Sequence, residues 1–261
     1  MTKKIIITGA TGLIGKKLSI RLADEGNQVV IFTRDKQRAA SVLPNMANYV
    51  EWDPMNISAW VNNIDDVDAI INLAGENLFE RRWNDEHKKK IEQSRLIITR
   101  ALVNAVHHVE NKPEVFISAS AIGYYGFTGE AEVTEESKPG DDFLANVTQK
   151  WELEAADVES LGVRRVNLRI GMVLDKNEGA LAKMLPAFRF FVGGPLGSGN
   201  QWFSWIHIDD LVELFLFTLN NERMKGVYNA TAPNPVRMKE FANLTGKVLH
   251  RPSIFRYRKL F

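Results

Sequence analysis

Three glycines at intervals of three residues, Gly9, Gly12 and Gly15, stand directly behind an apolar run at residues 5–7. The run is typical of a buried parallel strand, and an amphipathic helix pattern follows the glycines. At such a junction glycines let the backbone approach a pyrophosphate, and the unpaired N–H groups and the dipole of the helix N-terminus favour its negative charge. An ordinary glycine-rich turn is the alternative, but the second apolar strand that follows favours a dinucleotide ligand. The predicted contacts are Gly9, Thr11, Gly12, Leu13, Ile14 and Gly15.

The end of the second predicted strand should decide which dinucleotide binds. An acidic residue there binds a ribose hydroxyl, whereas an arginine accepts a 2′-phosphate. Thr33 and Arg34 stand at this place, and Arg38 follows as a second candidate cation. One charge-assisted contact contributes about 1.5 to 3 kcal/mol, which corresponds to a preference of roughly 10- to 150-fold. The pattern therefore predicts NADP, while Asp35 beside Arg34, and a solvated position for that arginine, leave NAD open as the alternative.

Strand and helix patterns alternate along the chain and would position these residues. Apolar strand-like runs follow at 29–32, 69–72, 115–118, 166–169 and 227–229, and long helical patterns cover about 85–108 and 143–161. The alternation predicts an α/β fold with a Rossmann-like, doubly wound parallel sheet. Residues 1–171 would form the dinucleotide-binding domain, to which a strand at 226–230 returns. Residues 172–261 would form mostly a small C-terminal substrate lobe.

Several further motifs make the chain resemble the extended short-chain dehydrogenases/reductases. The glycine spacing GxxGxxG, the segment Asn72-Leu73-Ala74-Gly75 and the segment from Ser118 to Gly126 are similar to motifs of that superfamily. Within it, the chain resembles an atypical branch of the NAD-dependent epimerase/dehydratase family, the sugar-nucleotide-epimerase-like proteins. The marks of this branch are Gly75-Glu76-Asn77, Arg82-Trp83, Ser118-Ala119-Ser120-Ala121, Trp151-Glu152 and Ser204-Trp205-Ile206-His207. Because the branch usually continues into a longer C-terminal segment, we expect the substrate lobe to be truncated.

The resemblance also implies a wider set of residues at the cofactor. Leu73 and Ala74 would lie against it, Asp53 would reach the adenine, and Arg95 would contact it from the long helix. The residues that the resemblance adds to the glycine turn and the second strand are Asp53, Leu73, Ala74, Gly75, Arg95 and Met172.

By the same resemblance Ser120 is the hydroxyl that polarises a substrate carbonyl, although a serine at a strand end can equally cap backbone groups. The superfamily's YxxxK motif places a tyrosine and a lysine one helical turn apart, so that the ammonium lowers the pKa of the phenol. Here Asn146 stands in place of the tyrosine and Lys150 in place of the lysine. Because asparagine cannot act as a general acid, we expect Tyr124 to supply the proton, with Tyr125 as the other candidate. Lys150 is either catalytic or a solvated helix residue.

These features predict an NADP-binding oxidoreductase or epimerase that acts on a carbonyl or secondary alcohol of a small, nucleotide-sugar-like substrate. The alternative, favoured by Asn146, is a regulatory protein that binds NADP without catalysis, for which the resemblance implies a link to cell division. His207, Asp209 and Asp210 could suggest metal or acid–base chemistry. Helix capping and a structural histidine are the commoner roles of such residues, so no metal is predicted.

Composition argues against several other classes of partner. With 33 basic and 32 acidic residues the net charge is +1, so no global field would recruit nucleic acid or an anionic membrane. The chain has no cysteine, which excludes disulfides and thiolate catalysis. The first apolar run is too short for a signal peptide and residues 211–219 are too few to span a bilayer, so we expect a cytoplasmic protein. A homodimer formed through the long helices is a further hypothesis from their role in the superfamily.

Overall fold

A computed structural model describes residues 2–78, 81 and 83–255. Its strands are β1 (Lys4–Thr8), β2 (Gln28–Thr33), β3 (Asn48–Glu51), β4 (Ala69–Asn72), β5 (Val115–Ala121), β6 (Arg164–Ile170), β7 (Met172–Leu174), β8 (Trp202–Phe203), β9 (Trp205–His207), β10 (Gly226–Ala230) and β11 (Val236–Arg237). Its helices are α1 (Leu13–Asp24), α2 (Lys36–Val42), α3 (Asp85–His108), α4 (Phe143–Ala156), α5 (Gly179–Arg189), α6 (Ile208–Asn220) and α7 (Met238–Leu249). Arg82 of the sequence motif and residues 256–261 lie outside the described residues.

Seven strands form the central sheet, in the order β10-β6-β5-β4-β1-β2-β3. β1 pairs in parallel with both β2 and β4, and parallel pairing continues from β2 to β3 and from β4 to β5. The chain builds outward from β1 to one edge and then returns beside β1 to build toward the other. Strand order therefore reverses between β1 and β4, and open α/β sheets bind ligands at the carboxyl ends of their strands at such a point. The predicted Rossmann-like α/β fold is confirmed.

The two long helices form where the periodicity predicts them. α3 begins at Asp85, and the side chain of Asn84 caps it by accepting a hydrogen bond of 2.7 Å from the backbone N–H of His87. α4 begins behind Asp142, whose carboxylate caps it in the same way. It ends at Ala156, and a short 3₁₀ segment (Asp157–Leu161) continues to Gly162, which has a left-handed backbone with φ of +80°. The side-chain caps at the start of both helices and the glycine after the 3₁₀ segment that follows α4 explain why the sequence pattern predicts these positions.

Two compact units can be distinguished in the chain. The first falls within residues 1–128, 132–169 and 212–229, and the second within 129–131, 170–211 and 230–261. Residues 212–229, most of which the division at residue 171 assigns to the lobe, group with the first unit. Arg164 of β6 accounts for this grouping, because its guanidinium donates to the backbone carbonyls of Thr218, Leu219 and Met224.

The second unit has short strand pairs of its own. β7 pairs in parallel with β9, and β11 pairs antiparallel with β8. Among the described residues, no helix combines the length and the apolar character needed to cross a membrane.

Candidate functional site

The turn between β1 and α1 places its glycines where side chains do not fit. Gly9 has φ of +69°, and a Cβ on it would lie 2.7 Å from the backbone carbonyl of Leu73. Gly12 precedes α1 with extended backbone, and no side chain caps the helix there, which leaves its first N–H groups facing a site suited to an anion. A Cβ on Gly15 would lie 2.4 Å from the Gly9 carbonyl oxygen. Gly15 therefore lets α1 begin in direct contact with the turn.

An open cavity of about 620 Å³ lies at the carboxyl ends of β1, β2 and β4. Eight of the residues predicted to bind a cofactor line it: Gly9, Thr11, Gly12, Thr33, Arg34, Leu73, Ala74 and Gly75. Sequence reasoning missed the rest of the wall, which comes from the loop after β3 and from α3: Trp52, Pro54, Met55, Lys90, Gln93, Ser94, Ile97 and Ile98 among others. Of the remaining predicted contacts, Leu13, Ile14, Gly15, Arg38, Asp53 and Arg95 lie outside this lining, and Met172 lies in β7 of the second unit.

Arg34 and Asp35, which follow β2, have different roles. Arg34 is exposed and lines the cavity. Asp35 caps α2, because its Oδ1 accepts a hydrogen bond of 2.9 Å from the backbone N–H of Arg38. Its carboxylate is therefore engaged locally, which weakens the reason for expecting NAD from this acidic residue.

Asp53 also forms hydrogen bonds within its own part of the chain. Its Oδ1 accepts a hydrogen bond of 2.9 Å from the N–H of Met55, and its backbone carbonyl accepts one of 2.8 Å from the indole of Trp60. These bonds hold the turn that brings Pro54 and Met55 to the cavity. Contact of Asp53 itself with an adenine remains a prediction.

A chain of buried hydrogen bonds links the ends of β1 and β4 to the helices. Thr8 donates to the Asn72 side chain over 2.8 Å, and Asn72 donates in turn to Thr99 over 2.9 Å. The indole of Trp151 also donates to Thr99, over 2.9 Å. Asn72 thus ties the two central strands to α3 and, through Thr99, to α4.

Arg95 supports the cavity wall from behind. One guanidinium nitrogen donates to the backbone carbonyls of Glu76 and Ile91, and the group lies over the Trp151 ring. A Cβ on Gly75 would come within 3.2 Å of this guanidinium. Burial lowers the pKa of Arg95 to about 10, because a low-dielectric environment disfavours its charged form.

A second polar cluster surrounds Ser120 at the end of β5. Ser120 is 4 % exposed, and its hydroxyl donates to Glu152 of α4 over 2.5 Å. Glu152 also accepts two hydrogen bonds of 2.8 Å from Arg169 of β6, one on each carboxylate oxygen. Since a carboxylate can only accept, the Ser120 proton is engaged, and the predicted donation to a substrate carbonyl would require the hydroxyl to rotate.

Arg169 is the centre of this cluster. The sequence predicts functions for Ser120 and the two tyrosines but not for this arginine. Besides Glu152, its guanidinium donates to the Tyr125 hydroxyl over 2.9 Å and to the Glu135 carbonyl over 3.2 Å. Burial by itself would lower the pKa of Arg169, but its hydrogen bonds to Glu152 and Tyr125 more than offset burial and raise the pKa above its ordinary value. The available signal was a charged residue within a buried strand pattern, which requires a partner.

The two adjacent tyrosines have different partners. The Tyr125 hydroxyl accepts from Arg169 and donates to the Asn229 side chain over 2.7 Å. The ring of Tyr124 is stacked on the Arg169 guanidinium, whose Cζ lies 3.3 Å from the ring centroid. Within the described part of the chain, no hydrogen bond engages the Tyr124 hydroxyl, so its proton is the available one.

Asn146 and Lys150 lie on the exposed side of α4. The Asn146 side chain donates to the backbone carbonyls of Asp141 and Asp142. Lys150 forms an ion pair of 2.6 Å with Glu92 of α3. The catalytic role of Lys150 therefore stays a prediction, and its observed ion pair joins α4 to α3.

The segment around His207 provides no metal site. The His207 ring accepts a hydrogen bond of 3.2 Å from the backbone N–H of Asp209. α6 begins at Ile208, so Asp209 and Asp210 lie within its first turn rather than in front of it, where acidic residues complement the helix dipole. In residues 2–78, 81 and 83–255 no group of three His, Cys, Asp or Glu side chains could hold a metal ion.

Comparisons with known proteins agree with this architecture. The model of the NAD dependent epimerase/dehydratase family matches residues 5–231. The chloroplastic homolog of epimerase family protein SDR39U1 from Arabidopsis thaliana is 44% identical over 252 residues, 95% of this chain and 72% of that protein. The structure of human epimerase family protein SDR39U1 (isoform 2) with NADPH is 32% identical, with a TM-score of 0.84 over 97% of this chain and 82% of that one. A UDP-glucuronic acid 4-epimerase from Bacillus cereus, 19% identical with a TM-score of 0.81 over 97% of this chain and 85% of that one, shares the fold.

Proposed function

Because this chain belongs to the NAD dependent epimerase/dehydratase family, we propose that it is an NADP-dependent oxidoreductase or epimerase acting on a carbonyl or secondary alcohol. The observation that supports this most directly is the cavity that joins the glycine turn to Arg34. An uncapped helix N-terminus suits the pyrophosphate, and a guanidinium at the end of β2 suits a 2′-phosphate. The similarity to a human relative whose structure contains NADPH supports the same choice of cofactor.

The residues divide the proposed chemistry between them. The nicotinamide, when bound, accepts or returns a hydride at the substrate carbon. In the direction of reduction, Tyr124 gives its hydroxyl proton to the carbonyl oxygen, which becomes the alcohol. Ser120, held by Glu152, presents its lone pairs to the substrate and binds the alcohol form by accepting its O–H.

Arg34→Ala tests the choice of cofactor. We expect it to weaken NADPH binding by roughly 10- to 150-fold, the effect of losing one charge-assisted hydrogen bond, and to leave the affinity for NADH nearly unchanged. Fluorescence titration of the nucleotide-free protein with each cofactor measures both values. Arg38→Ala, tested in parallel, shows whether the predicted second cation contributes.

Arg223→Ala is the control for net charge, because Arg223 is exposed and follows α6, away from the residues that line the cavity. Equal losses of NADPH and NADH affinity in Arg34→Ala would contradict a 2′-phosphate contact. Wild-type protein that binds neither cofactor would contradict the proposed function itself.

Gly15→Ala tests the phosphate turn. The added methyl group would lie 2.4 Å from the Gly9 carbonyl oxygen and 2.6 Å from the Ala10 Cα, so α1 must move away from the turn. Overpacking of this kind costs about 1 to 3 kcal/mol, and we expect both a lower melting temperature and weaker binding of NADPH and NADH alike. Gly26→Ala is the control, since a methyl group there meets no atom within 4 Å while φ of +84° strains any side chain; it should lower the melting temperature and leave both affinities unchanged. Wild-type affinity in Gly15→Ala would show that the turn does not set the phosphate site.

A further inference from the structure

We propose that Arg169 supplies the positive charge that stabilises Tyr124 as it gives up its proton, the part that a lysine plays in a YxxxK motif. The inference rests on the proposed function, in which Tyr124 is the proton donor. Its basis is the stacking of the Arg169 guanidinium on the Tyr124 ring, with Cζ 3.3 Å from the ring centroid.

The guanidinium is held firmly in this position. Its four hydrogen bonds to Glu152, Tyr125 and Glu135 all lie at its edge, which leaves its planar face to the Tyr124 ring. The Arg169 side chain is 3% exposed, so water screens its charge little. A cation over an aromatic ring is attracted to the ring's electrons. That attraction strengthens when the O–H bond breaks and negative charge spreads from the phenol oxygen into the ring.

The lysine at the YxxxK position is engaged elsewhere. Lys150 forms its ion pair with Glu92 on the exposed side of α4, and Asn146 precedes it by one turn. The chain thus replaces both members of the helical pair. A tyrosine after β5 takes the place of the helical tyrosine, and an arginine on β6 takes the place of the lysine.

A variant with both charges of the buried pair removed tests this inference. Arg169→Gln combined with Glu152→Gln leaves no buried charge unpaired, and such replacements are often tolerated. The control is the same double change at the ion pair between Arg165, which is also on β6, and Glu159 of the preceding 3₁₀ segment. This pair is partly exposed, with an N–O separation of 3.0 Å. Both variants are first required to unfold cooperatively.

The first measurement does not depend on turnover. Tetranitromethane nitrates tyrosinate, and mass spectrometry after digestion reports the extent at Tyr124 relative to Tyr49 and Tyr228. We expect the Arg169→Gln, Glu152→Gln variant to be nitrated at Tyr124 about 5- to 30-fold more slowly, the range between an exposed and a desolvated cation–π contact. The control pair should be nitrated at the wild-type rate. An unchanged rate at Tyr124 would overturn the inference.

The second measurement is NADPH oxidation with 9,10-phenanthrenequinone, a diketone that requires no sugar-binding residues. We expect kcat to fall by about 5- to 30-fold with KM unchanged. In the Tyr124→Phe background the same two changes should cause no loss beyond that of Tyr124→Phe alone. A full loss of about 5- to 30-fold in that background, or an equal loss caused by Lys150→Gln alone, would overturn the inference. Slower nitration in a protein whose wild type oxidises no NADPH would support the assignment of Arg169 and contradict the proposed function.

Discussion

Tyr124→Phe is expected to lower kcat for carbonyl reduction by about 100- to 10,000-fold, the range that a general acid typically contributes. The substitution removes one oxygen and keeps the ring, so the stacking on Arg169 remains. Binding of NADPH should be unchanged, because Tyr124 does not line the cofactor cavity. Steady-state NADPH oxidation with the diketone substrate and fluorescence titration with NADPH measure the two quantities.

Tyr125→Phe is the matched variant for this prediction. Its hydroxyl is already engaged by Arg169 and Asn229, so its loss should affect stability more than turnover. Full turnover in Tyr124→Phe would contradict the role of Tyr124. A loss in Tyr125→Phe but not in Tyr124→Phe would instead assign the proton to the second tyrosine.

The glycine turn and the helix bounds were predictable because their signals are local. Gly9 and Gly15 stand where added methyl groups would meet backbone atoms at 2.4 to 2.7 Å, and the glycine spacing between an apolar strand and a helix pattern indicates that requirement. The start of α3 at Asp85 and the end of the 3₁₀ segment before Gly162 follow from a cap, an apolar period and a glycine. Once these elements are placed, the cavity between β1 and β4 follows from the order of parallel strands.

The cluster around Arg169 was not predictable in the same way. Its contacts join β5, α4 and β6, and they depend on which face of α4 packs against the sheet. Glu152 follows Trp151 on α4, and in the sequence only the Trp151-Glu152 mark of the family resemblance drew attention to this glutamate. The contacts of Asn72 were not predictable either, because an asparagine at a strand end does not indicate a partner such as Thr99, which is 27 residues away. Non-local polar pairs leave little periodicity in the sequence, so the ionic part of the site emerged only from the fold.

Breaking the buried ion pair between Glu152 and Arg169 has the largest expected effect on stability. Glu152→Ala should reduce the free energy of unfolding by about 3 to 5 kcal/mol, the usual cost of breaking a buried ion pair on one side. The change leaves the Arg169 guanidinium, 3% exposed, without its counter-charge, and it removes the acceptor of the Ser120 hydroxyl. Urea unfolding followed by circular dichroism measures the free energy, and thermal unfolding should shift by about 2 to 4 °C for each kcal/mol.

Glu154→Ala is the control for this prediction, because it changes the same residue type on the same helix. Glu154 pairs with Arg100, whose side chain is 59% exposed, and ion pairs at the surface contribute only about 0 to 1 kcal/mol. Equal stabilities of Glu152→Ala and Glu154→Ala would mean that the Arg169 charge is solvated in the variant. In that case the guanidinium would not be held against Tyr124 by Glu152. A much larger loss of unfolding free energy in Glu152→Ala would instead show that the Glu152 carboxylate stabilises the buried Arg169 guanidinium beside Tyr124.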